Sequence, residues 1–68
     1  MEVHITTTRG AAAHTIDVDP EPTAREAIDG VWRRIEARTP LEVVSRDGRR
    51  ELVSFNVAHV IDVSIPAA

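Results

Sequence analysis

Residues 41–65 read LEVVSRDGRRELVSFNVAHVIDVSI, and this stretch decides the fold. Leu41–Ser45 and Arg50–Phe55 are short apolar runs with Asp47-Gly48 between them. Asp-Gly favours positive φ at both turn positions, and the resulting twist suits a two-residue hairpin. That hairpin pairs Val43 with Leu52, Val44 with Glu51 and Glu42 with Val53. A connection over Asn56–His59 leads to a last strand, Val60–Ile65, with Ile61, Val63 and Ile65 on one face and Pro66 ending it. Apolar residues then occupy both faces of the hairpin: Val43 and Leu52 on one, Val44, Val53 and Phe55 on the other. A single helix covers one face of a sheet, so the other calls for a partner. Phe55 has two readings. A strict pleat turns it away from the helix, whereas a bulge near Ser54 returns it to the core.

Working back toward the N-terminus, Val3, Ile5 and Thr7 alternate with Glu2, His4 and Thr6, the period-2 pattern of a half-buried strand. Arg9-Gly10 supplies a turn, and His14–Asp19 resumes the alternation, with Ile5, Ile16 and Val18 facing inward. Asp19-Pro20-Glu21-Pro22 breaks the sheet, because proline has no backbone donor for a ladder. Thr23-Ala24-Arg25-Glu26 matches a capping box, so a helix is expected over 24–38. Ala24, Ala27, Ile28, Val31, Trp32 and Ile35 fall in one stripe of that helix, with Arg25, Asp29, Arg33 and Glu36 opposite. Thr39-Pro40 ends it. The order is ββαβββ: a single α+β domain spanning 1–68, an antiparallel sheet with one helix on one face.

Size sets the energetic problem. A chain of 68 residues buries only about 60% of its unfolded surface. Disulfides, a metal or oligomerisation are the usual remedies at this size. Cysteine is absent, which removes disulfides and thiolate metal sites together. The expectation is therefore a homo-oligomer, a dimer first, with a protein partner as a further option. No run approaches the ~20 apolar residues of a membrane span, and Met1–Ile5 has neither the basic region nor the apolar run of a secretory signal. The expected location is the cytoplasm. The net charge of −3 argues against a protein whose work is to neutralise phosphates. All eight basic residues are arginine and lysine is absent, a usage that fits a GC-rich bacterial genome.

Candidate sites are few. His4 and His14 belong to neighbouring strands but have opposite parity relative to the apolar positions, so they point to opposite faces. No third ligand joins them or His59, and no metal or cofactor is expected. Ser45, Ser54 and Ser64 sit at sheet-like spacing, without the nearby base a nucleophile requires. An enzyme is the remotest reading, with His14 or His59 as an acid–base residue at a subunit interface. Trp32, at the border of the helix stripe, is either a half-buried core residue or an anchor for a partner. Arg46, Arg49 and Arg50 form the local basic cluster at the hairpin tip, and a basic β-ribbon can enter a major groove. Asp47 and Glu51 dilute that charge.

The residues Met1-Glu2-Val3, Gly48-Arg49-Arg50 and Val60-Ile61-Asp62-Val63 resemble those of a family of short, uncharacterised actinobacterial proteins. These open on Met-Glu-Val and close on a Gly-Arg-Arg hairpin and an apolar strand. The pattern apolar–Asn–x–x–His–apolar, within Val53–Val63, also looks like the end of small flagellum-associated bacterial proteins. The resemblance implies a bacterial, cytoplasmic, non-enzymatic protein and carries over no catalytic residue. The expected function is a self-associating interaction or regulatory module whose uncovered face carries Val44, Val53, Phe55 and Val60. The alternative is a nucleic-acid-binding accessory protein acting through Arg46, Arg49 and Arg50.

Overall fold

The structure is a computed structural model and describes residues 1–9 and 13–66. Among these residues five strands form one antiparallel sheet: β1 (Glu2–Thr7), β2 (His14–Asp17), β3 (Leu41–Val44), β4 (Arg50–Val53) and β5 (Val60–Ser64). One helix, α1 (Ala24–Glu36), lies between β2 and β3 in the chain. The α+β class and the ββαβββ order are as the sequence predicts. Across the sheet the strands run β4-β3-β2-β1-β5. The turn expected at Arg9-Gly10 lies partly outside the described residues.

β1 and β2 carry the most deeply buried strand residues of the core. Val3 faces Ile16 and Ile5 faces His14 across the β1–β2 ladder, while Val63 faces Ile5 across β1–β5. Val3, Ile5 and Ile16 are fully buried with Val31 and Ile35 of α1, and Leu41 and Val63 join them. Ile28 and Trp32 pack against this cluster from the helix, half-exposed. The stripe read from the sequence is therefore the stripe that is buried, apart from exposed Ala24 at its start.

Local chemistry sets the limits of α1. Thr23 is extended, and its hydroxyl accepts from the Glu26 backbone N–H at 3.2 Å, satisfying one orphan donor of the first turn. The helix stops at Glu36, two residues earlier than the pattern predicts. Arg38 takes φ +57°, and the Arg38 and Thr39 N–H groups return to the Ile35 and Arg34 carbonyls at 3.0 and 2.9 Å. This is a Schellman ending, with arginine in the left-handed position that glycine usually fills.

The β3–β4 hairpin departs from the predicted register by one residue. Leu41 pairs with Val53, Glu42 with Leu52, Val43 with Glu51 and Val44 with Arg50. The cause is the turn. Gly48 alone has positive φ, +84°, while Asp47 does not. Ser45 N–H donates to the Arg49 carbonyl at 2.9 Å and Gly48 N–H to the Ser45 carbonyl at 3.0 Å. The loop is thus three residues, Arg46-Asp47-Gly48, of the kind that closes with a left-handed glycine bulge. The Asp47 carboxylate holds this form by accepting from the Ser45 hydroxyl and from the Arg49 N–H.

Because side chains alternate, that slip exchanges faces. Val43 and Val53 turn toward the helix and pack on the core, and Leu52 turns to the open side. A second irregularity lies in β5. Thr6 faces Asp62 but Thr7 faces Val60, so Ile61 is the extra residue of a bulge. Ile61 is 62% exposed, although the alternation placed it beside Val63 and Ile65.

β4 and β5 are opposite edges of the sheet, so their connection must cross it. Phe55 lies in that crossing, 7% exposed, and belongs to the core cluster. Its ring meets His14 edge-on, with centroids 5.4 Å apart. His14 shares a row with Ile5 on the helix side. The segment from Ser54 to His59 therefore passes over the same face that α1 covers, and the inner face has two covers, a helix and a strap.

Candidate functional site

Of the four residues expected on an uncovered sheet face, the structure leaves one there. Val44 pairs with Thr15 and Arg50 on the open side and is half-buried. Val53, Phe55 and Val60 all lie in the helix-side core or against it. For Val53 the reason is the register slip. Phe55 is drawn in by the crossing strap. Val60 pairs with Thr7, on the inner side of the β5 bulge.

The open face is largely polar. By the strand registers it carries Glu2, His4 and Thr6 of β1, Thr15 and Asp17 of β2, Glu42 and Val44 of β3, Arg50 and Leu52 of β4, and Asp62 and Ser64 of β5. Glu42 and Arg50 pair at 2.7 Å, and His4 Nε2 lies 3.6 Å from a Glu2 carboxylate oxygen. Packing a second sheet on this face would desolvate those charges. Leu52 is the exception, 73% exposed on β4 at the sheet margin. The sequence pattern assigned Leu52 to the core, because it could not anticipate the three-residue loop.

Among the described residues no strand pairs with the outer margin of β4. With Ser45 and Arg49 bonded, antiparallel alternation makes Val43–Glu51 and Leu41–Val53 the bonded pairs. The N–H and C=O of Arg50 and Leu52 then point away from β3, toward solvent. The opposite edge, β5, is blunted by the bulge at Ile61 and by Pro66, two devices that discourage edge pairing. The two margins of the sheet are therefore unequal.

At the hairpin tip, Arg49 Nε lies 3.2 Å from Asp47 and Arg50 pairs with Glu42. Two of the three arginines proposed for nucleic acid are thus engaged by carboxylates, and Arg46 completes the cluster. The Asp47 carboxyl is held below its ordinary value of 3.8, first by the Ser45 hydroxyl and then by the Arg49 N–H. The Arg50 guanidinium is pushed above its ordinary value, first by its hydrogen bond to Glu42 and then by the Glu42 charge. Trp32 packs half-exposed against the core from the helix, consistent with the core-border reading.

A different group of residues converges where the strap leaves the sheet. Thr7 at the end of β1 and Arg9 just beyond it, His14 from β2, Val53 at the end of β4, and Ser54, Phe55, Asn56 and His59 from the strap line a cleft of about 350 Å³. The Asn56 side-chain oxygen caps the short 3₁₀ turn Val57–His59 by accepting from the Ala58 N–H at 3.0 Å. His59 Nδ1 lies 3.4 Å from the Thr8 hydroxyl, and the Thr8 N–H donates to the His59 carbonyl at 2.9 Å. His14 and His59, separated by 45 residues in sequence (59 − 14), thus share one cleft. His4 is on the other face, as its parity predicts. The strap's path made this grouping, and the strand pattern alone could not indicate Thr7, Arg9 or Asn56. Among the described residues no cluster of three or more potential metal ligands is present, and no helix is long and apolar enough to cross a membrane. No family model, curated protein or solved structure matches the chain.

Proposed function

We propose that this domain is a non-enzymatic cytoplasmic interaction module that self-associates through its sheet, by pairing β4 with β4 of a second copy. The observation that carries the reading is Leu52, a large apolar side chain 73% exposed on a strand whose outward backbone groups have no partner among the described residues. Such an edge is a template for another strand.

Charge selects the register. A two-fold axis normal to the sheet keeps each residue on its own face, so it pairs residues of equal parity. Centring the axis on Glu51 would set two carboxylates opposite each other, and centring it on Arg50 two guanidiniums, which is unfavourable. Centring it on Leu52 sets leucine against leucine, Arg50 against Ser54, and Glu51 against Val53. That arrangement also lets the two Leu52 residues exchange both backbone hydrogen bonds. The contact strand is short, four residues. It buries less than a standard interface and should give a dimer that dissociates on dilution.

Sedimentation across a concentration series tests the proposal. The expected weight-average mass rises from 7.5 kDa toward twice that value, and Leu52→Lys holds it at the monomer value while leaving the fold intact. A wild-type mass that stays at the monomer value throughout overturns self-association. A dimer indifferent to Leu52→Lys but abolished by Val44→Asp moves the contact from the edge to the open face. Binding of duplex DNA that weakens steeply with salt would instead favour the nucleic-acid alternative through the hairpin tip.

A further inference from the structure

We infer that the cleft beneath the strap binds a small organic anion, a carboxylate or phosphate ester carried on a flat apolar body. Three separate parts of the chain build it: the end of β1, the start of β2 and the β4–β5 strap. Its lining includes no carboxylate, although 11 of the 68 residues are acidic. It gathers Arg9 and two of the three histidines instead. Arg9 brings a fixed charge with a planar fork of donors, the group best matched to a carboxylate or phosphate.

The remaining hydrogen-bonding capacity points the same way. The Asn56 side-chain oxygen is committed to the Ala58 N–H, which leaves its amide N–H₂ as a donor with no partner among the described residues. His59 is oriented by Thr8 at Nδ1, which leaves Nε2. The Ser54 hydroxyl is turned to the Arg38 carbonyl at 3.4 Å. Thr7, which also lines the cleft, is 7% exposed, the one buried polar residue among those described. Phe55 and Val53 give the cleft an apolar wall, and the Phe55 ring already stacks edge-on with His14, so a flat ligand body finds an aromatic surface there. A volume of about 350 Å³ suits a ligand of this kind.

The test uses the whole chain and works equally on a monomer or a dimer, so it is independent of the β4 pairing. Benzoate, inorganic phosphate and benzylammonium are titrated separately while the His14 and His59 imidazole and Phe55 ring resonances are followed by NMR. Benzoate should shift all three saturably, with a dissociation constant on the order of 1 mM, about −4 kcal/mol. Inorganic phosphate should bind more weakly, and benzylammonium should leave the resonances in place. Arg9→Gln, at an exposed position, should weaken benzoate binding roughly tenfold, and His59→Gln should weaken it to a lesser degree. The inference is overturned by non-saturable shifts, by equal response to benzylammonium, or by unchanged benzoate binding in a folded Arg9→Gln variant. Phosphate binding as tight as benzoate overturns the apolar-body part of the claim.

Discussion

The β1–β2 and β3–β4 hairpins are both antiparallel pairs within one sheet, yet their registers are held by different means. β1 and β2 present apolar residues at one parity only, with Glu2, His4, Thr15 and Asp17 at the other. A slip there would put Ile5 and Ile16 into water, so burial fixes the register. β3 and β4 have Val43 and Val53 at one parity but Val44 and Leu52 at the other. Burial discriminates poorly between their two registers, and the turn decides. The lesson is that alternation is decisive only where one parity is polar.

The largest test of this contrast compares buried with edge positions. Ile16→Ala, at a fully buried site of β2, should cost about 2–5 kcal/mol, enough to threaten a domain whose total stability is roughly 3–10 kcal/mol by size. Phe55→Ala should cost about 3–5 kcal/mol, because the strap has drawn this ring into the core. Leu52→Ala should change monomer stability by no more than about 0.5 kcal/mol. Urea unfolding measures all three, and a Leu52 cost equal to that of Ile16 would restore the register in which Leu52 faces the helix.

Backbone conformation gives the next tier. Gly48→Val should cost about 1–2 kcal/mol, because a β-branched residue resists the left-handed region, while Gly48→Asn should be tolerated better. Equal stabilities of the two variants would show that the turn does not need Gly48's positive φ. Arg38→Gly should have the opposite sign, stabilising by up to about 1 kcal/mol as the left-handed strain is relieved. Thr23→Ala should cost about 1 kcal/mol, as loss of a helix cap does.

The smallest effect is at Asp47. Its carboxyl has a lowered pKa in the folded hairpin, so the charged form stabilises the turn. That contribution is fully present above the unfolded value near 3.8 and is lost as pH falls through the lower folded value. The Gly48 and Arg49 amide resonances should titrate with a midpoint below 3.8, and Ser45→Ala should raise that midpoint. A midpoint unmoved by Ser45→Ala would remove the Ser45 hydroxyl as the main cause.

Much of the architecture was legible because its signals were local and one-sided. The apolar stripe Ala27–Ile35, the Thr23 cap and the alternation of β1 each point to one answer. What the sequence concealed arose from choices between near-equal alternatives or from distant contacts. Asp47-Gly48 is compatible with two loop lengths, and one carbonyl–amide pairing separates them. Nothing near Phe55 specifies that its segment must cross from one sheet edge to the other. That crossing follows only from the strand order, and it both buries Phe55 and brings His59 to His14's cleft. The expectation of an apolar second face failed for the same reason: three of its four residues were placed by register, bulge or strap rather than by simple alternation.

The most direct measurement of the proposed association exploits the absence of cysteine. In the Leu52-centred dimer, residue 52 faces its own symmetry mate across a bonded antiparallel pair, with Cα atoms about 5.5 Å apart. That separation lies within the range a disulfide spans. Leu52→Cys under mild oxidation should therefore convert rapidly to a covalent dimer, while Ile61→Cys, also well exposed but on the blunted edge, should convert slowly. Comparable slow rates for the two variants, or faster crosslinking at Ile61, would contradict the β4–β4 pairing.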